Sequence, residues 1–180
     1  MIIVDMKTLS ESQLNQAAQI LTDELPNGWP ALSDALYEVK ERWSNEVGAL
    51  FLAAVNAEEV IGWGGILPHY DGHVFELHPL AVRNDWQRKG VGKLLVDALS
   101  VAAKTKGGLT LWLGADDEIE GGETSFANVD LYDDLPRRIQ EFDPGTHQAA
   151  FYMKYGFKIV GVIPDANGIG KPDIYLAKRL

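Results

Sequence analysis

Between Val74 and Leu113 the hydrophobic period of the chain changes from two to about 3.6 and then to a continuous apolar run. Val74 to Val82 alternates as a strand, and Gln87-Arg88-Lys89-Gly90-Val91-Gly92 interrupts it. Val91, Leu94, Leu95, Ala98 and Ala102 then fall on one stripe of a helix that Lys104 to Gly108 ends, and Leu109 to Leu113 reads as a buried strand. A strand, a crossover helix and a second strand predict a parallel pair joined right-handedly. This unit restricts the chain to folds with a mixed or parallel sheet.

The flanking segments settle which. Ile2 to Val4 predicts a first strand, and Ser10 with Gln13 has the form of a capping box opening a helix through Glu24. Pro26, Asn27, Gly28 and Pro30 break it, and a second helix is expected over Ala31 to Trp43. Ala49 to Val55, Val60 to Leu67 and Val74 to Val82 predict an antiparallel meander, with turns at Asn56 to Glu59 and His69 to Gly72. A helix near His147 to Tyr155 and closing strands Phe157 to Ile163 and Ile174 to Lys178 complete the order β-α-α-β-β-β-α-β-α-β-β. The expectation is an α+β fold with a mixed, mostly antiparallel sheet. With 180 residues and no repeat or linker-like stretch, residues 1–180 are expected to form one domain.

Charge narrows the partners. The net charge is −10, the wrong sign for a chain that binds phosphate backbones or anionic lipid, so neither nucleic acid nor membrane is expected. Between Asp116 and Asp134 lie eight of the 26 acids and none of the 16 bases. That loop is either a solubilising surface or a site that concentrates cations. Cysteine is absent, which removes thiolate nucleophiles and disulfides, and the N-terminus lacks a signal peptide's apolar core, so a cytoplasmic protein is expected. His69, His73, His78 and His147 do not pair at metal-binding intervals, so no metal site is expected.

Two places could carry chemistry. In Gln87 to Gly92 the glycines let backbone N–H groups turn outward at a helix start, where Arg88 and Lys89 strengthen the field. A phosphate or diphosphate fits there, although an ordinary strand-to-helix turn would look alike. The segment lacks the Gly-Lys-Ser/Thr ending of a triphosphatase loop. On the strand before it, a period of two puts Glu76, His78 and Leu80 on one face. A carboxylate beside an imidazole suits amine binding or proton transfer, and equally a solvated outer face.

Gln87 to Gly92 also matches the Gln/Arg-x-x-Gly-x-Gly/Ala signature of the GCN5-related N-acetyltransferase (GNAT) superfamily. Ala149-Ala150-Phe151-Tyr152-Met153-Lys154-Tyr155-Gly156-Phe157 resembles its second motif. Glu76 to Leu80, Gly107 through Asp117, Asp130-Leu131-Tyr132, Tyr155 to Val162 and Ala166 to Ile174 resemble one branch, the aminoglycoside 6'-N-acetyltransferases. The likeness runs from about Gly48 to the C-terminus. The first 45 or so residues share only the helical layout, and Glu118 to Val129 and Asp133 to Gly145 depart from the pattern.

The resemblance implies a GNAT-type sheet flanked by helices, with a splayed parallel strand pair holding acetyl-coenzyme A, and direct acetyl transfer to a primary amine. Leu80, Val82, Gln87, Arg88, Lys89, Gly90, Val91, Gly92 and Tyr152 would bind the cofactor, the Leu80 N–H polarising the thioester. Glu76, Tyr152 and Leu80 would be catalytic: Glu76 accepts hydrogen bonds from the amine, and Tyr152 protonates the departing thiolate. Taken alone, Tyr152 reads as a packed aromatic on a helix face. Glu76, His78, Asp116 and Asp117 would bind the substrate, and His147 reads as a helix cap or surface group. The implied substrate is the 6'-amino group of an aminoglycoside, hence antibiotic resistance, and the implied assembly is a homodimer. Another polyamine, a basic peptide or protein amine, or an acyl-coenzyme A-binding regulator without turnover are the alternatives.

Overall fold

The computed structural model describes residues 1–42 and 47–180. Seven strands follow the order β1-β2-β3-β4-β5-β7-β6, with β4 and β5 parallel and helices flanking them, so the α+β expectation holds. Contacts gather the chain into two compact units, Met1–Leu111 with Leu180, and Trp112–Arg179.

The first unit is a four-stranded antiparallel meander with helices on both faces. β1 (Ile2–Asp5), β2 (Leu50–Asn56), β3 (Glu59–His69) and β4 (Val74–Val82) pair in sequence. α1 (Glu11–Glu24) starts where the sequence puts it. The Ser10 hydroxyl accepts the Gln13 N–H at 3.3 Å, and the Gln13 side chain accepts the Ser10 N–H at 3.0 Å. Two long-range bonds pin α1 to β3: the Trp63 indole donates to the Ala17 carbonyl at 2.9 Å, and Gln16 accepts the Val60 N–H at 2.8 Å. α2 (Leu32–Tyr37) runs into a π-helical turn, Glu38–Arg42. Trp43, the expected end of this helix, lies outside the described residues. α1 and α2 cover one face of the meander, where Ala17, Leu21, Ala35, Ala53, Trp63 and Ala81 form the core.

α3 (Val91–Thr105) covers the other face. Its buried residues are Val91, Leu95, Val96, Leu99 and Ala103, a stripe rotated from the expected one, which leaves Ala98 and Ala102 partly buried and turns Leu94 to 38% exposure. β5 (Thr110–Asp116) begins beside β4: the N–H groups of Leu109 and Thr110 both donate to the His73 carbonyl just ahead of that strand.

In the second unit β6 (Lys158–Ile163) and β7 (Asp173–Arg179) pair antiparallel. α4 (Leu135–Gln140), a turn and a half that the sequence reading missed, is capped by the Asp134 carboxylate. α5 (Ala149–Lys154) carries Tyr152 and packs on β7.

Candidate active site

β4 has the alternation the sequence shows, with Phe75, Leu77, Pro79 and Ala81 buried and Glu76, His78 and Leu80 half-buried. The three half-buried residues do not share one face, however. Ile66 pairs with Leu77 and Gly64 with Leu80, so His78 and Pro79 together oppose the single residue Gly65. This is a β-bulge, and Pro79, which has no N–H for the ladder, sits in it. Beyond the bulge the facing reverses. The His78 ring lies 5.9 Å from that of Trp29 on the α1–α2 side, whereas Leu80 and Val82 pack with Val91 and Leu95 of α3. A bulge re-aims the backbone where it falls, here at the Leu80 N–H expected to face a thioester carbonyl. Two glycines make room for it. A Cβ on Gly64 would stand 2.9 Å from the Pro79 carbonyl, and one on Gly65 would overlap the Phe51 ring at 2.0 Å.

Glu76, before the bulge, shares its face with His78. Its carboxylate is 23% exposed and lies 3.0 Å from His69 Nε2. The sequence reading missed His69, yet the hairpin register held the signal: His69 pairs with Val74, which makes it the diagonal neighbour of Glu76. On the same side of the sheet a cavity of about 540 Å³ is lined by Gly28, Trp29, Asp34, Tyr37, Glu38 and His78. Asp34 and Glu38 stand four residues apart, and Glu38 is only 4% exposed. Acids with aromatic walls suit an ammonium group.

After β4 comes the glycine turn. Arg88 and Gly90 both hold positive φ, 56° and 88°, and Gly90 is the N-cap of α3 without a side chain to offer. The first-turn N–H groups of α3 therefore lack a side-chain cap, at the positive end of a helix of 15 residues. A Cβ on Gly90 would meet nothing within 4 Å, so the turn borders open space. Lys89 lies over the Trp86 ring, 5.2 Å from its centroid. Arg83 is committed elsewhere, to Asp85 at 2.7 Å and Glu59 at 3.2 Å, and these carboxylates raise its pKa. Helix-start N–H groups without a side-chain cap, Arg88, Lys89 and open space fit a diphosphate, as acetyl-coenzyme A requires.

In the second unit Tyr152 is 6% exposed, packed edge-on against Phe151 and Phe157, and burial raises its pKa above the usual phenol value. Asp116 and Asp117 have different surroundings. Asp117 is fully buried, and its two oxygens accept the N–H groups of Glu123 and Thr124 at 2.9 Å each, so it holds the acidic loop in shape. Asp116 is exposed and accepts a bond from the Asn167 amide at 2.5 Å. Several of the loop's carboxylates accept bonds from the chain itself: Glu123 from the Thr146 hydroxyl, Asp130 from the Tyr132 N–H, and Asp134 from the first turn of α4. His147, expected as a helix cap or a surface group, is buried just ahead of α5, whose N-cap is Gln148. Nδ1 accepts the Ala149 N–H at 3.3 Å and Nε2 lies 3.0 Å from the Asp116 carbonyl, which assigns the proton to Nε2. Among the described residues no three His, Asp or Glu side chains gather as a metal ion would need, and no helix is long and apolar enough to cross a membrane.

A bulged fourth strand feeding a glycine turn and an uncapped helix defines a class, and the family comparison agrees: the model of the acetyltransferase (GNAT) family matches residues 14–122. The chain belongs to this family of acetyltransferases, which use acetyl-coenzyme A. Among solved structures it is similar to an aminoglycoside 6'-N-acetyltransferase complexed with coenzyme A, at 34% identity over 99% of this chain and 97% of that one, with a TM-score of 0.88. The aminoglycoside 6'-N-acetyltransferase from Enterococcus faecium gives 34% identity over the same shares and a TM-score of 0.87. An aminoglycoside 6'-acetyltransferase type Ii gives 30%, again over 99% and 97%, with 0.76. No curated relative matches the chain.

Proposed function

We propose that this acetyltransferase acts on a primary amine of a small polycationic molecule, and specifically on the 6'-amino group of an aminoglycoside. The observation that carries the reading is the Glu76 carboxylate on the face of β4 that also bears His78, which lines the acidic, aromatic cavity of Trp29, Asp34, Tyr37 and Glu38. An isolated ammonium needs one carboxylate. A molecule with several needs this kind of surface. The similar solved aminoglycoside acetyltransferases support the finer assignment.

In this reading Glu76 binds the amine and His69 or His78 helps pass its proton to water. The neutral nitrogen forms a bond to the acetyl carbon as the carbon–sulfur bond breaks, the thiolate leaves, and the nitrogen gives its second proton to water to become the amide. The Leu80 N–H stabilises the developing oxyanion. Tyr152 donates to the sulfur. Because burial raises its pKa, the phenol stays protonated and supports the thiolate first by a hydrogen bond. Val82 and the backbone from Gln87 to Gly92, with Arg88 and Lys89, hold the coenzyme. Asp116 offers an exposed carboxylate to substrate cations, and Asp117 serves by fixing the loop.

The test is thiol release from acetyl-coenzyme A by the purified protein. Kanamycin and tobramycin should drive it. Turnover with spermidine or basic peptides but with no 6'-amino aminoglycoside would instead make the substrate another polyamine or a protein amine. Coenzyme binding with no turnover on any amine would identify a regulator.

A further inference from the structure

The last residue of α1 breaks a local rule. Glu24 puts a carboxylate at the negative end of the helix dipole, in a last turn that contains no basic residue. Two donors from outside the helix compensate it. Its Oε1 accepts the backbone N–H of Asn84 at 2.7 Å, and its Oε2 accepts the side-chain amide of Gln87, also at 2.7 Å. The same Gln87 nitrogen donates to the Val82 carbonyl at 3.0 Å. One carboxylate therefore ties together the end of β4, the turn that follows and the first residue of the glycine segment.

On its other side the turn is anchored by Arg83, whose N–H donates to the Ile61 carbonyl at 3.0 Å and whose guanidinium holds Asp85 and Glu59, so Glu24 supplies the tie on the α1 side. Asn84 to Trp86 form a single 3-10 turn, Gln87 returns to extended geometry, and Arg88 then takes φ 56° with a side chain that disfavours it. A diphosphate is bound by several N–H groups only if they converge before it arrives, since ordering a loose turn on binding weakens affinity. Local rules broken in a natural sequence concentrate where function needs them broken.

We propose that Glu24 is a positioning residue for the acetyl-coenzyme A site: it clamps the β4–α3 turn through Asn84 and Gln87 and presets its backbone donors. The inference rests on the acetyl-transfer reading above. It makes α1, whose buried residues Ala17, Ala18, Ile20 and Leu21 belong to the core, a supporting element of cofactor recognition.

The experiment uses Glu24→Ala, Glu24→Gln, Gln87→Ala and the double variant Glu24→Ala/Gln87→Ala. Calorimetry with acetyl-coenzyme A, the KM of the amine, the melting temperature and amide exchange at Asn84 in the free protein are read for each. Glu24→Ala should raise the acetyl-coenzyme A Kd about tenfold and speed Asn84 exchange at least about tenfold, because a charged acceptor is lost. The amine KM should move by less than about twofold. Glu24→Gln, which keeps an acceptor for Asn84, should fall between, and the double variant should be no worse than the poorer single, as two ends of one contact require. An alanine variant with unchanged melting temperature, Kd and Asn84 exchange would overturn the proposal. So would an equal loss of cofactor and amine binding that glutamine does not rescue, since that marks general loosening. Failure of the parent protein to bind acetyl-coenzyme A would overturn the acetyl-transfer reading itself, and is visible before any variant is made.

Discussion

His69 Nε2 lies 3.0 Å from Glu76 Oε2, across the β3–β4 ladder. The carboxylate assigned to the amine is thus held from the neighbouring strand, at the mid-strand position just before the ladder is interrupted. Its orientation is set by backbone register as well as by its own rotamer, which is the kind of support a positioned acceptor needs.

Glu76→Gln should lower kcat/KM for the amine about 100-fold, the scale of a lost charged contact combined with a lost proton route. The acetyl-coenzyme A Kd should change by less than about twofold, because the glycine turn is unaffected. Steady-state kinetics with each substrate varied in turn, and calorimetry, separate the two. An unchanged kcat/KM would remove Glu76 from the mechanism.

His69→Ala should act through Glu76. The expected effect is an amine KM raised about threefold with kcat nearly unchanged, and non-additivity with Glu76→Gln of about 0.5–1 kcal/mol in a double-mutant cycle. Simple addition of the two effects would show that the contact does not bear on substrate binding.

Tyr152→Phe should keep the fold, since the ring packing against Phe151 and Phe157 is retained, and lower kcat about 100-fold. Burial holds the phenol protonated beyond the usual phenol range. The parent kcat should therefore show no falling limb from this group between about pH 8 and 10, where an ordinary phenol begins to ionise. A variant as active as the parent would mean that solvent protonates the thiolate.

Much of this was legible in the chain. The Ser10–Gln13 box, the three-strand meander and the strand–turn–helix around Gly90 are local signals, and local signals survive into the fold. The face of Leu80 was not legible, because a period of two assumes an unbroken ladder and one extra residue at His78–Pro79 reverses it. Pro79 within an otherwise regular strand was the available hint. Glu24 was read only as a helix end and Trp29 was not read at all, and their roles depend on what β4 brings beside them. The acidic loop shows a further limit. Formal charge counts carboxylates alike, yet Asp117 is buried in backbone contacts while Asp116 stays exposed.

That difference predicts a stability effect. Asp117→Ala strips the acceptor from two N–H groups inside the loop and should cost about 2–3 kcal/mol, roughly 5–10 °C in Tm for a chain of this size. Asp116→Ala should leave Tm within about 2 °C, because an exposed contact contributes little. Equal melting of the two variants would place both residues on the solvated surface.

Asp173 reverses the usual pH dependence of a carboxylate. Burial raises its pKa above the ordinary 3.8, and the neighbouring Asp116 charge adds to this, against the Ala115 N–H that Asp173 accepts at 3.0 Å. A folded-state pKa above the unfolded value means that the protonated carboxyl favours the fold. Its contribution is complete below about pH 3.8 and is lost as pH rises through the raised value. At neutral pH the ionised group is therefore a cost. Asparagine keeps the acceptor for Ala115 and carries no charge, so Asp173→Asn should melt higher than the parent at pH 7. The advantage should shrink on acidification and vanish once both proteins are neutral at this position. Thermal unfolding from pH 3.5 to 7.5 checks it, and a variant that melts lower at pH 7 would show that the ionised carboxylate is stabilising where it stands.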